Sequence, residues 1–89
     1  MESIINDYIS RELIQDESLL PLENATSLLE TGILDSMNVL RLVVFVREQF
    51  GIVVNDVDLI PRNIGSVDAI CAYLRSRVDD RAGQAGGRG

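Results

Sequence analysis

The stretch from Ser36 to Phe50 restricts the fold more than any other. It holds Met37, Val39, Leu40, Leu42, Val43, Val44, Phe45, Val46 and Phe50, with no Gly or Pro before Gly51. Its β-branched residues would suit a strand, but so long a run without a breaker reads as a helix. Asp35 or Ser36 supplies the N-cap, because a short side-chain oxygen there accepts from the free N–H groups of the first turn. Val39, Leu42, Val43, Val46 and Phe50 form the natural core face. Asn38, Arg41, Phe45 and Glu48 lie roughly opposite, which leaves Phe45 partly exposed. A helix apolar on this much of its circumference is either central or shows apolar surface to a partner.

The rest of the chain organises around that helix. From Glu2 to Ile14, Ile5, Ile9 and Leu13 repeat at helical spacing, with Asp7, Arg11 and Glu12 off the stripe, so an amphipathic helix is expected. Asp16 to Asp35 is a long connection for so small a chain. Its Leu19, Leu20, Leu22, Leu28, Leu29, Ile33 and Leu34 should pack it onto the helices. Ser27 to Glu30 offers one helical turn, ended by Gly32 as the residue that tolerates positive φ. Ile52 to Val54 is an extended link, and Asp56 to Ile60 a brief helical turn before Pro61. Ser66 caps a last helix with the stripe Val67, Ile70, Cys71, Leu74 and Val78. The expected architecture is all-α: three main helices and one short one, with a long ordered first loop. Residues 1–79 form the domain, and 80–89 form a flexible Gly-rich C-terminal tail.

Composition narrows the function. The 89 residues contain no His and no Trp, and all eight basic residues are Arg. Without His, the usual neutral-pH base and commonest metal ligand are missing. Without Lys, no Schiff base forms. Cys71, the single cysteine, makes no internal disulfide or multi-thiolate site; it reads as a buried, inert thiol on the last helix. A self-contained enzyme is disfavoured. The net charge of −6 argues against nucleic acid, which needs a basic face. No apolar run reaches the ~20 residues that span a bilayer, and Met-Glu-Ser-Ile-Ile lacks the basic start of a signal peptide. The chain therefore reads as cytoplasmic, with no membrane insertion. Glu2, Asp7, Glu12, Asp16, Glu17, Glu23, Glu30 and Asp35 face only Arg11 in residues 1–35, an acidic half suited to basic partner surfaces.

The acids are otherwise scattered. Asp56-Val57-Asp58 lacks the Gly and terminal Glu of a calcium loop, and no metal site is expected. Gly32-Ile33-Leu34-Asp35-Ser36-Met37 is different. It places the Ser36 hydroxyl at a helix N-terminus, where a phosphate on that oxygen would face free N–H groups and the positive end of the dipole. Asp35 beside it suits a divalent cation next to an incoming phosphate. Taken alone, Asp-Ser before an apolar run is simply a cap.

Over Ser3 to Arg77 the chain resembles the acyl carrier proteins, the phosphopantetheine-binding carrier family. The centre of the likeness is Leu28-Leu29-Glu30-Thr31-Gly32-Ile33-Leu34-Asp35-Ser36-Met37, similar to the family's attachment motif. Phe50-Gly51-Ile52 and Leu59-Ile60-Pro61-Arg62-Asn63-Ile64-Gly65-Ser66-Val67 fit as well. The resemblance implies an acyl-carrier-like bundle that does no bond chemistry itself. A phosphopantetheinyl transferase would move 4'-phosphopantetheine from coenzyme A to Ser36, with magnesium assisting at Asp35. The arm's thiol would hold acyl or aminoacyl groups as thioesters. By position, Met37, Leu40 and Val44 match the family's apolar contact patch, and Arg41 borders it. Implied partners are the transferase, an acyl or aminoacyl ligase, and a downstream transferase or synthase, served by a monomer.

One departure bears on the pathway. The fatty-acid type presents several acids on its second helix, whereas this chain has Asn38, Arg41 and Arg47 there, with only Glu48 acidic. Rim charges steer partner choice. The mixed face therefore points to a free-standing carrier in a specialised biosynthetic pathway. Asp35-Ser36-Met37 also resembles the D-alanyl and other aminoacyl carriers. A cargo enclosed by the bundle needs a cleft between helices, which Phe45 and Phe50 are placed to line or block. The rival from another class is an unmodified helical interaction module docking through the second helix.

Overall fold

The computed structural model describes residues 1–88, with side chains through Val78. Helix α1 (Glu2–Tyr8) runs on as a π-helical segment, Ile9–Leu13, closed by an Ile14 N–H bond to the Ile9 carbonyl at 3.0 Å. The expected stripe is its buried face: Ile5, Ile9 and Leu13 are all in the core. Ile14 is extended, and there the helix stops.

The long loop is ordered by hydrogen bonds as well as by leucines. Asn6 Nδ2 donates to the Leu22 carbonyl and to Asn24 Oδ1, both at 2.8 Å. Asp68 N–H reaches the Asn24 carbonyl, and Leu28 N–H the Gly65 carbonyl at 2.8 Å. Leu22, Leu28, Ile33 and Leu34 are buried, but Leu20 and Leu29 are exposed, so not every loop leucine packs inward. Residues Ser27 to Glu30 form the expected single turn, closed by the Thr31 N–H on the Ser27 carbonyl at 3.3 Å, without extending into a regular helix. Ser27 Oγ accepts the Glu30 N–H, and the Leu34 N–H bonds back to the Leu28 carbonyl. Gly32, at φ 78°, reverses the chain between them.

Helix α2 (Ser36–Phe50) is the central element, capped by Asp35 and ended by Gly51 in the left-handed conformation. Leu42 and Val46 are buried, while Val39, Val43 and Phe50 are half-buried. A 3₁₀ turn at Asp56–Asp58 fulfils the expected turn before Pro61. The short helix α3 (Pro61–Ile64) starts at Pro61 itself, because proline at the first helical position loses no hydrogen bond and has its φ already set. Helix α4 (Val67–Arg88) is capped by Ser66, whose Oγ accepts the Ala69 N–H at 3.1 Å.

The expected class holds: three main helices (α1, α2 and α4), the short α3, and a packed first loop, with no strand among the described residues. One core joins them, with Ile5, Ile9, Leu28, Ile52, Val67, Cys71 and Leu74 nearly sealed from solvent. The expected division between a domain at 1–79 and a tail at 80–89 falls where side chains lie outside the described residues.

Candidate functional site

Ser36 stands where two constraints meet. Ile33 and Leu34, just before it, are anchored in the core at 3% and 5% exposure. Asp35, extended, then caps α2 by accepting the Asn38 N–H on Oδ1 at 2.8 Å. Asn38 Nδ2 donates to the Ile33 carbonyl at 2.8 Å, tying the first turn of α2 back to the loop. The cap is therefore Asp35, and Ser36 is the first helical residue. Ser36 is exposed, and its hydroxyl makes no hydrogen bond among the described residues. No acid follows Ser36 in the first turn of α2, so an anion on Ser36 Oγ meets the positive end of the dipole, with the Asp35 carboxylate as its one acidic neighbour in sequence. Asp35 Oδ2 is likewise without a partner among the described residues.

Of the residues expected to meet partners, Met37, Leu40 and Val44 form one exposed stripe, at 65%, 59% and 53% exposure. Arg41 lies beside it. Its Nη2 stands 4.0 Å from Glu12 Oε2, a loose surface pairing that contributes little. Cys71 is buried on α4, and desolvation, then the charge of Glu2, pushes its thiol upward. A thiol so held is a poor nucleophile.

Two constellations were not visible in the sequence. Tyr8 stacks on Phe45, ring centroids 3.9 Å apart, joining α1 to α2; Phe50 meets Phe45 edge-on at 6.4 Å. The second is a clasp between the 3₁₀ turn and α4. Tyr73 OH donates to Asp58 Oδ2 at 2.6 Å, and Arg77 Nη1 donates to Tyr73 Oη at 3.0 Å. Desolvation, with the bond to Asp58, raises the Tyr73 phenol above its usual range. Behind the clasp, among Leu42, Val46, Leu59, Ile64, Ile70 and Leu74, the open space is about 20 Å³, roughly one water. Phe45 and Phe50 line none of it.

The bundle thus presents one exposed serine hydroxyl, without a hydrogen bond among the described residues, at the N-terminus of its central helix. A sequence model of the phosphopantetheine attachment site matches residues 11–74. The chain belongs to that family, as a carrier protein of the acyl carrier type. Carrier domains of the family are non-catalytic, carry covalent 4'-phosphopantetheine, and work with a modifying transferase and biosynthetic enzymes. Among solved structures, a chain from a crystal structure of an FAD-dependent dehydrogenase is similar, with a TM-score of 0.68 and 26% identity over 79% of this chain and 97% of that one. No curated protein matches. Among the described residues no helix is long and apolar enough to cross a membrane.

Proposed function

We propose that Ser36 is the attachment point, and that residues 1–79 act as a free-standing carrier shuttling acyl or aminoacyl thioesters in a specialised biosynthetic pathway. The observation that carries this reading is the exposed, unbonded Ser36 hydroxyl beside an Asp35 that has one carboxylate oxygen to spare. In loading, Ser36 Oγ attacks the pantetheine-side phosphorus of coenzyme A. The bond to the adenosine bisphosphate breaks, that group leaves, and the serine proton passes to a base of the transferase. Asp35, whose Oδ1 holds the cap, would have its other carboxylate oxygen to help hold a magnesium brought by the transferase, which would supply charge neutralisation of the phosphates. The attached arm supplies a thiol that holds cargo as a thioester.

Met37, Leu40 and Val44 form the apolar docking stripe, with Arg41 at its edge setting partner preference. The narrow interior space favours a small cargo carried outside the bundle, as in aminoacyl carriers of the D-alanyl type. The likeness to a chain from a dehydrogenase structure adds a flavin enzyme that oxidises tethered cargo to the candidate partners. The working compartment in this reading is the cytoplasm. Incubation with coenzyme A, magnesium and a promiscuous transferase should add one phosphopantetheine to the intact mass. The absence of any gain with several transferases would favour an unmodified interaction module.

A further inference from the structure

We infer that the tethered arm lies in a groove between the end of the first helix and α2, instead of projecting freely into solvent. The inference rests on the reading of Ser36 as the attachment point. Asp35 and Met37, on either side of Ser36, both line this groove while Ser36 itself does not, so an arm on Ser36 enters by folding back over the first turn of α2. Its volume is about 380 Å³, inside the range of roughly 300–1,000 Å³ usual for ligand sites.

The lining suits this occupant. Leu13 and Ile33, both core residues, make the floor with half-buried Ile14 and Leu19. Gln15, Asp16, Thr31, Asn38 and Arg41 supply its polar lining, with the Asp16 carboxylate already bonded to Ser18. A pantetheine arm alternates the same two chemistries along its length: a geminal dimethyl group and methylenes, separated by a hydroxyl and two amides. Its apolar segments face the floor while its amides meet the polar lining. Arg41 can serve, since its ion pairing among the described residues is limited to the 4.0 Å approach to Glu12. Gln15 makes no hydrogen bond among the described residues. The second groove on α2, lined by Tyr8, Leu40, Arg41, Val44, Phe45 and Glu48, starts a full turn beyond Ser36 and exposes a mainly apolar wall.

The test uses the full wild-type chain, isotope-labelled, with an unlabelled arm loaded from coenzyme A and the mass gain verified first. Filtered nuclear Overhauser spectra then read contacts from the arm's geminal methyls. Contacts to the methyls of Leu13, Leu19 and Ile33 are expected, with shifts of the Gln15 and Thr31 amides relative to the unloaded protein. A loaded chain showing no such contacts, or contacts to Leu40 and Val44 instead, overturns the groove while leaving attachment intact. No mass gain overturns the attachment reading itself, and the groove with it. Gln15→Trp, which plugs the groove from an exposed position, should still load but lose the contacts; contacts that survive the plug would also overturn the inference.

Discussion

Asp35 and Ser36 are adjacent and both suit a helix cap, yet they should respond to mutation in opposite ways. Asp35→Ala removes the acceptor of the Asn38 N–H, a 2.8 Å bond at the start of α2. Loss of such a cap costs about 1 kcal/mol, within a range of about 0.5–2. Losing a negative charge at the positive end of the dipole adds about 0.3–1 kcal/mol. Together these come to about 1–2 kcal/mol. At roughly 4–8 °C per kcal/mol for a domain of this size, Tm should fall by roughly 4–16 °C. Ser36→Ala removes an exposed hydroxyl with no hydrogen bond among the described residues and leaves the cap in place, so stability should stay within about 0.5 kcal/mol. Thermal melts followed by far-ultraviolet circular dichroism, run on both variants and the wild type, make the comparison. If Ser36→Ala lost as much as Asp35→Ala, or Asp35→Ala lost nothing, the division of labour between cap and attachment point would be wrong.

Two further outcomes follow from the packing. A Cβ on Gly65 would stand 2.6 Å from the Pro61 carbonyl oxygen, and the same glycine's carbonyl accepts the Leu28 N–H. Gly65→Ala should therefore cost about 1–3 kcal/mol in urea unfolding, as overpacking does; a neutral result would mean that the α3–α4 junction yields freely. The second concerns alkaline pH. Cys71 and Tyr73 are both raised, chiefly by desolvation, above ordinary values of 9.0 and 10.0. The folded chain thus holds these protons more tightly than the unfolded one. That contribution is complete below the ordinary values and is lost as pH rises through the raised ones. With no Lys in the chain, urea midpoints should fall above pH 9, and combining Cys71→Ala with Tyr73→Phe should flatten the fall. An unchanged slope in the double variant would count against it.

The helices were legible because their apolar residues repeat at helical spacing: Ile5, Ile9 and Leu13 in α1, and Val67, Ile70, Cys71 and Leu74 in α4 proved buried, although Val78, the last of the expected α4 stripe, is exposed because it lies beyond the core. The local geometry around Ser36 was legible too, because a cap, a glycine reversal and a helix start are local events written within a few residues. What the sequence concealed depends on partners far apart in the chain. Nothing near Asp58 says that Tyr73 and Arg77 will reach it. Nothing near Asn6 announces Asn24, and the Tyr8–Phe45 stack needs two helices to meet at a particular rotation. Leu20 and Leu29 misled for the same reason, since hydrophobicity marks a residue as able to pack but only the path of the loop decides whether it does. The turn at Ser27 was readable because it is local: the serine side chain accepts the Glu30 N–H at its start and Gly32 reverses the chain at its end.

The most direct test of the central claim is to locate the modification. After loading from coenzyme A, fragmentation mass spectrometry of the peptide spanning Ser27 to Arg41 separates the hydroxyls of Ser27, Thr31 and Ser36. Ser27 and Thr31 are already engaged in the turn, where Ser27 Oγ accepts the Glu30 N–H and Thr31 Oγ1 donates to the Ser27 carbonyl. The account predicts the phosphopantetheine on Ser36 alone, and no loading of Ser36→Ala. An arm found on Ser27 or Thr31, or a Ser36→Ala chain that still gains the mass, would contradict it.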